Sequence, residues 1–257
     1  MGNATDYHVL IPAAGCSRRL AHLTTDKPKS LLEIHGKCLV QYSLDVLERR
    51  NFSLVTFVVG YKRNLLMNTL GRRHGAMQID YVVSQEFDRT EHGWSLYLTN
   101  CAWRRAPLPV IFMDADNLYD PALLDLVLDS PQNDVCLVDA SLKNTEHEEE
   151  LVLGKRHQIS GLKRGTWGEF PETIGGFVGI NKFSVDFMTA LYDFMDDFFA
   201  THDRQHKYER VFDAFIRETG IPLHYCLTNG LPWINVNHQA DYDGASHIAK
   251  LMHENSD

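Results

Sequence analysis

The run His8-Val9-Leu10-Ile11-Pro12 leads directly into Ala13-Ala14-Gly15-Cys16-Ser17-Arg18-Arg19-Leu20, with Asp26-Lys27-Pro28-Lys29-Ser30-Leu31-Leu32 behind it. An apolar strand that ends in a loop of small residues, with an arginine and then a lysine following, predicts a cradle for a polyphosphate. Ala13, Ala14 and Gly15 leave the backbone N–H groups open to close approach, and Gly15 can take angles closed to other residues. Arg19 can fork two phosphate oxygens at once, whereas Lys29 is a compact point charge suited to bridging oxygens. The pattern is not a Walker A loop, which needs Gly-Lys-Ser/Thr. It also lacks the three-glycine dinucleotide fingerprint, which speaks against a nicotinamide-dependent dehydrogenase.

The 257 residues are 44% hydrophobic, enough to bury a large core in one α/β unit. A formal net charge of −9 argues against a nucleic-acid-binding surface, which needs clustered lysine and arginine. No apolar stretch has the length to span a bilayer, and the N-terminus lacks the charged and apolar regions of a signal peptide. The expected setting is therefore cytoplasmic, with no membrane partner. Cys16, Cys38, Cys101, Cys136 and Cys226 fit neither a zinc site nor a disulfide framework. The thirteen histidines are dispersed without metal-ligand spacing. The run Glu146-His147-Glu148-Glu149-Glu150 reads as a solvated loop or helix end.

Apolar runs at 7–12, 53–59, 77–83, 108–113 and 134–140 predict strands, alternating with helical patterns at 38–50, 63–72, 94–103 and 121–128. That alternation predicts an α/β fold with a mostly parallel, twisted central sheet covered by helices on both faces. The second half reads as short strands over 151–162 with a turn at Gly154, then a glycine-rich strand at 173–181. Helices follow at 184–200 and 207–218, then a strand at 223–227 and a last helix after Gln239. A single domain is expected, with residues 1–140 as a nucleotide-binding half and 141–257 as a small acceptor-binding half. Ligands of such sheets sit at the carboxyl ends of the strands, where both the Ala13 loop and Asp114-Ala115-Asp116-Asn117 fall. A carboxylate at a strand tip suits a hard divalent cation, and either Asp114 or Asp116 could face the cleft.

The stretch from 11 to 32 resembles the signature of the nucleotidyltransferases that act on sugar 1-phosphates and phosphocholine. Within that family it is most similar to the small cytidylyltransferases for phosphocholine or phosphonates. Three later segments carry the resemblance along the chain: Gly93-Trp94-Ser95-Leu96-Tyr97-Leu98, Met113-Asp114-Ala115-Asp116-Asn117, and Trp233-Ile234-Asn235-Val236-Asn237. It implies a Rossmann-like nucleotidyltransferase fold, Mg²⁺ as cofactor, a nucleoside triphosphate, in the first place CTP, and a small phosphorylated or phosphonate acceptor. Arg19 and Lys29 match the catalytic cations. Ala13, Ala14, Gly15, Cys16 and Asp114 are expected at the nucleotide, and Ser84, Gln85, Gly93 and Ser95 on its nucleobase side. Asp116 matches the metal ligand best, and Asn237 stands where relatives supply a second one, most often aspartate.

Two departures stand out. Ser17-Arg18 stands where the family commonly has Gly-Ser or Gly-Thr before its arginine, and Glu91-His92 replaces two asparagines found in relatives acting on phosphocholine. Glu91, Trp94, Tyr208 and Asp213 are expected around the acceptor, where aromatic faces and carboxylates suit a cationic amine. A sugar-1-phosphate nucleotidylyltransferase is the first alternative, and a non-catalytic nucleotide-binding regulatory subunit the second. The sequence leaves a homodimer open.

Overall fold

In a computed structural model the described residues are 6–141 and 148–254. They build a ten-stranded mixed sheet shared by both halves of the chain. At its centre His8–Ala13 lies parallel to Leu54–Val59 on one side and to Val110–Met113 on the other, and Met77–Val83 extends the parallel set. Parallel pairing is concentrated there. Beyond Val110–Met113 the chain turns antiparallel through Thr173–Phe183, which also pairs with Val135–Asp139 and Glu149–Lys155.

The central strand shows why the sheet is covered on both faces. Successive side chains of a strand point to opposite sides. Val9, Ile11 and Ala13 enter one hydrophobic core, with helix Leu39–Arg49 supplying Leu39, Val40, Leu44 and Leu47. Leu10 enters the other, with Phe187, Leu191 and Met195 of helix Val185–Thr201 and Val211, Phe212 and Phe215 of helix Tyr208–Thr219. No helix among the described residues is long and apolar enough to cross a membrane.

Two local differences from the sequence reading have simple causes. The turn of the second-half hairpin falls at Arg156 and His157, both left-handed (φ 52° and 64°), rather than at Gly154. Gly154 sits inside strand Glu149–Lys155 at a register shift, where a Cβ would stand 2.3 Å from the carbonyl oxygen of Gln158. The expected helix at 94–103 forms as two, His92–Leu98 and Asn100–Trp103, with Thr99 Oγ1 turned back onto the Leu96 carbonyl at 2.5 Å.

Asp213 anchors helix Tyr208–Thr219 to strand Gln158–Gly165. Its carboxylate is buried and accepts the backbone N–H of Leu162 and the Lys163 ammonium, both at 3.1 Å, with Arg210 and Arg217 at 3.4 Å. Asp213→Ala is therefore expected to lower unfolding free energy by about 2 kcal/mol, because it strands a buried N–H and removes a charged acceptor. Urea denaturation measures this, and an unchanged midpoint would contradict it.

Candidate active site

The carboxyl ends of the parallel strands open into one cleft of about 1150 Å³. Ala13, Ala14, Gly15, Ser17 and Arg19 line one stretch of it, with Lys29 close behind. The loop's backbone is fixed by its own ends: Ala14 offers its carbonyl to the N–H of Tyr61 at 2.9 Å, and Ser17 takes the left-handed conformation (φ 49°) in place of a glycine. Ser17 also accepts Thr24 Oγ1 and the N–H of Leu20, which tie the following turn to the loop.

Asp114 and Asp116 follow Val110–Met113, as its hydrophobic run foretold. A second small sheet then brings the far end of the chain to them. Asn117–Tyr119 pairs antiparallel with Trp233–Asn235, and the N–H of Val236 donates to the Asp116 carbonyl at 3.1 Å. Asn237 is thereby held beside Asp116, its backbone N–H capped by Asp241 Oδ2 at 2.8 Å. The two basic residues meet there. Lys29 Nζ forms an ion pair with Asp116 and donates to Asn237 Oδ1 at 3.0 Å, and Arg19 Nη2 donates to the same oxygen at 2.7 Å.

Asp114 has a different setting. Tyr208 donates its hydroxyl to both carboxylate oxygens, at 2.9 and 3.0 Å. Burial and the neighbouring Asp116 raise the Asp114 pKa to about 8, against the Tyr208 hydrogen bond and Lys29. Gly179 (φ 79°) passes beside it because a Cβ there would lie 2.1 Å from Asp114 Oδ2. This contact gives the glycine-rich strand Thr173–Phe183 a structural reason for one of its glycines.

Other expected residues divide by geometry. Glu91 and Ser95 line the cleft. Cys16 is half-buried and outside the lining. Ser84 is wholly buried, with its N–H on the Val59 carbonyl, and Gln85 is exposed and accepts Arg63 at 3.3 Å, so neither lines the cleft to meet a base. Gly93 is needed for packing, since a Cβ would sit 2.4 Å from the His206 carbonyl oxygen. Trp94 faces away from the cleft: it packs on Tyr97 and Phe199, and Arg204 covers its ring at 3.9 Å. Asp213 is committed to the helix anchor described above. Of the four expected acceptor residues, Glu91 and Tyr208 remain in the cleft.

The cleft also gathers residues that the sequence reading passed over. Glu150, from the acidic run read as solvated, is held by Lys207 at 2.8 Å and Arg164 at 3.1 Å. Burial opposes its ionisation, but these two cations keep its carboxyl below the ordinary value. The rest of that run up to His147 lies outside the described residues. Asp139 accepts Ser141, Thr228 and Trp233 Nε1, and their hydrogen bonds outweigh burial in holding its pKa down. The basic residue just before Tyr208 was the available signal.

The comparisons with known proteins agree with this fold. A family model described as nucleotidyl transferase matches residues 8–154. A CTP:phosphoglutamine cytidylyltransferase of Campylobacter jejuni is 22% identical over 74% of this chain and 79% of its own. A D-glycero-alpha-D-manno-heptose 1-phosphate guanylyltransferase of Aneurinibacillus thermoaerophilus is 23% identical over 84% of this chain and 94% of its own. Among solved structures, the inositol-1-phosphate CTP transferase from T. maritima superposes with a TM-score of 0.77 at 16% identity, covering 96% of both chains.

Trp94 provides a direct check on the side chains assigned to the cleft. Trp94→Ala is expected to leave the KM values of both substrates within about twofold while lowering unfolding free energy by about 2 kcal/mol, less than for a fully buried tryptophan. A tenfold rise in one KM with unchanged stability would return the ring to the site.

Proposed function

The chain belongs to the nucleotidyl transferase family, an enzyme by that membership, and on this premise we propose that it transfers CMP from CTP to a small phosphorylated or phosphonate acceptor. The convergence of Arg19, Lys29, Asp116 and Asn237 beside a small-residue loop carries the reading. Two basic side chains share one carboxamide oxygen in a cleft open to ligand, which is the arrangement a triphosphate would exploit. CTP is favoured by the resemblance of the 11–32 signature to the small cytidylyltransferases, with the named cytidylyltransferase aligning over 74% of this chain.

In the proposed reaction an acceptor phosphate or phosphonate oxygen forms a bond to the α-phosphorus. The bond from that phosphorus to the oxygen bridging it to the β-phosphorus breaks, and pyrophosphate leaves with the electron pair. The attacking oxygen is already anionic at neutral pH, so no general base is needed. Catalysis then rests on alignment and charge: Arg19 and Lys29 hold the phosphates, and the open backbone of the 13–15 loop admits them closely.

Asp116 and Asn237 fit a divalent cation. Their side-chain oxygens converge on one positive group, the Lys29 ammonium, and an all-oxygen donor set suits Mg²⁺. When bound, Mg²⁺ would neutralise charge on the phosphate oxygens. Asn in place of aspartate keeps an oxygen donor and gives up a charge.

A sugar 1-phosphate acceptor is the second reading, supported by the heptose 1-phosphate relative's alignment over 84% of this chain. A pyrophosphate-release screen of four nucleoside triphosphates against phosphocholine, 2-aminoethylphosphonate and sugar 1-phosphates decides between them. Release with CTP and a phosphocholine- or phosphonate-type acceptor is expected, and release only with a sugar 1-phosphate would install the second reading. No release with any pair would leave a nucleotide-binding subunit.

Lys29→Ala is expected to reduce kcat by about a hundredfold with the fold intact, the loss typical of removing one preorganised charge at developing negative charge. An unchanged rate would remove Lys29 from the chemistry. Chelation should abolish turnover and Mg²⁺ restore it, with Asp116→Asn more damaging than Asp114→Asn. The reverse order would move the metal to Asp114.

A further inference from the structure

Asn235 lines the cleft at the end of strand Trp233–Asn235, two residues before Asn237. Successive side chains of an extended segment point to opposite sides, so the two asparagines share one face while Val236 between them is buried in the core. The reaction above draws on Asn237 and not on Asn235.

A carboxamide has two ends of similar size and opposite hydrogen-bonding character, an oxygen that accepts and an NH₂ that donates. Here the partners dictate the orientation of both. Lys29 and Arg19 can only donate, so Asn237 turns Oδ1 to them, at 3.0 and 2.7 Å. Its Nδ2 is thereby directed at Asn235, which meets it with Oδ1 at 2.5 Å. The Asn235 Nδ2 in turn donates to Asp116 Oδ1 at 3.4 Å, and the other oxygen of Asp116 returns to Lys29 in the ion pair. Four side chains thus close a ring in which every donor meets an acceptor. Reversing the Asn237 amide alone would set its NH₂ against two cations and its oxygen against the oxygen of Asn235. A fully satisfied ring of this kind holds orientation more firmly than its separate bonds would.

Orientation matters because only the oxygen end of Asn237 can serve a cation. In the free cleft Lys29 and Arg19 themselves hold that oxygen. Once they turn to phosphate oxygens their hold weakens, and the bond to Asn235 is then the one that keeps the Asn237 NH₂ out of the cleft. An aspartate would need no such partner, since both of its ends are oxygens.

We propose, resting on the nucleotidyl-transfer and divalent-cation reading above, that Asn235 is a positioning residue that fixes the Asn237 carboxamide with its oxygen toward the cation and the phosphates. It acts through Asn237 rather than on the substrates.

Two measurements on the full chain, without nucleotide, test this. The first is the solvent exchange of the Asn237 side-chain NH₂ by ¹⁵N NMR without metal, the resonances being identified by their loss in Asn237→Asp. Exchange is expected to be at least about fivefold faster in Asn235→Ala than in the wild type, as one hydrogen bond is lost. The second is a titration with Mn²⁺ as probe, followed by the EPR signal of the free ion. Asn235→Ala should weaken Mn²⁺ binding by about tenfold, the lower end of the range for losing a group that orients a metal ligand. Asn237→Asp offers oxygen whichever way it turns, so adding Asn235→Ala to it should cost less than about twofold. Equal losses in the two backgrounds would give Asn235 a merely structural role and overturn the proposal, as would unchanged Mn²⁺ binding in folded Asn235→Ala. Should Asn235→Ala fail to fold, the wild type decides: an Asn237 NH₂ that exchanges as fast as a free asparagine overturns the proposal, and a protected one supports it. A protected Asn237 NH₂ in a wild-type chain that binds no Mn²⁺ would overturn the divalent-cation reading and leave the Asn235 orientation standing.

Discussion

The Lys29 ammonium holds together three parts of the chain that are distant in sequence. It pairs with Asp116 at the end of a central strand and donates to Asn237 near the start of the last helix. A half-buried ammonium is tolerable only when oxygen acceptors replace its water, so this contact fixes where the 28–32 segment sits. The small sheet of Asn117–Tyr119 with Trp233–Asn235 delivers Asn237 to it, and the Asp241 cap keeps the asparagine in register. The 13–15 loop, Arg19 and the rest of the cleft are arranged around that junction. On the proposed reading, the oxygens that satisfy Lys29 are the same oxygens that would hold Mg²⁺.

The two ends of the cleft differ in charge. Arg19 and Lys29 supply positive charge beside the small-residue loop, whereas in the portion contributed by the second half Asp139 and Glu150 stand together with Arg164 and Lys207. Asp114 lies between them, its pKa raised by burial and then by Asp116, and it is bonded to Tyr208 on helix Tyr208–Thr219.

Much of the fold was legible because its signals are local. Alternating apolar runs gave the central strands nearly to the residue, and the 11–32 signature and the Asp114 to Asn117 segment both reached the cleft. What escaped depends on contacts between remote segments. Asp213 and Trp94 have the right chemistry for an acceptor pocket, but helix phase turns Asp213 onto Leu162 and Lys163 and Trp94 onto Phe199. Gly93 reads as an opening for a base, although its missing side chain accommodates His206. Glu150 looked like part of a solvated acidic run until strand pairing brought Arg164 beside it. Tyr208, legible as an aromatic next to an acidic segment, gained its meaning from Asp114, 94 residues away.

Nucleotidyl transfer from CTP can be followed by ³¹P NMR of a single reaction. With CTP, Mg²⁺ and 2-aminoethylphosphonate, the CTP resonances are expected to decay as those of pyrophosphate and a new phosphonate–phosphate anhydride grow in equal amounts. CTP that persists unchanged, or that breaks down to CMP without the anhydride, would contradict it.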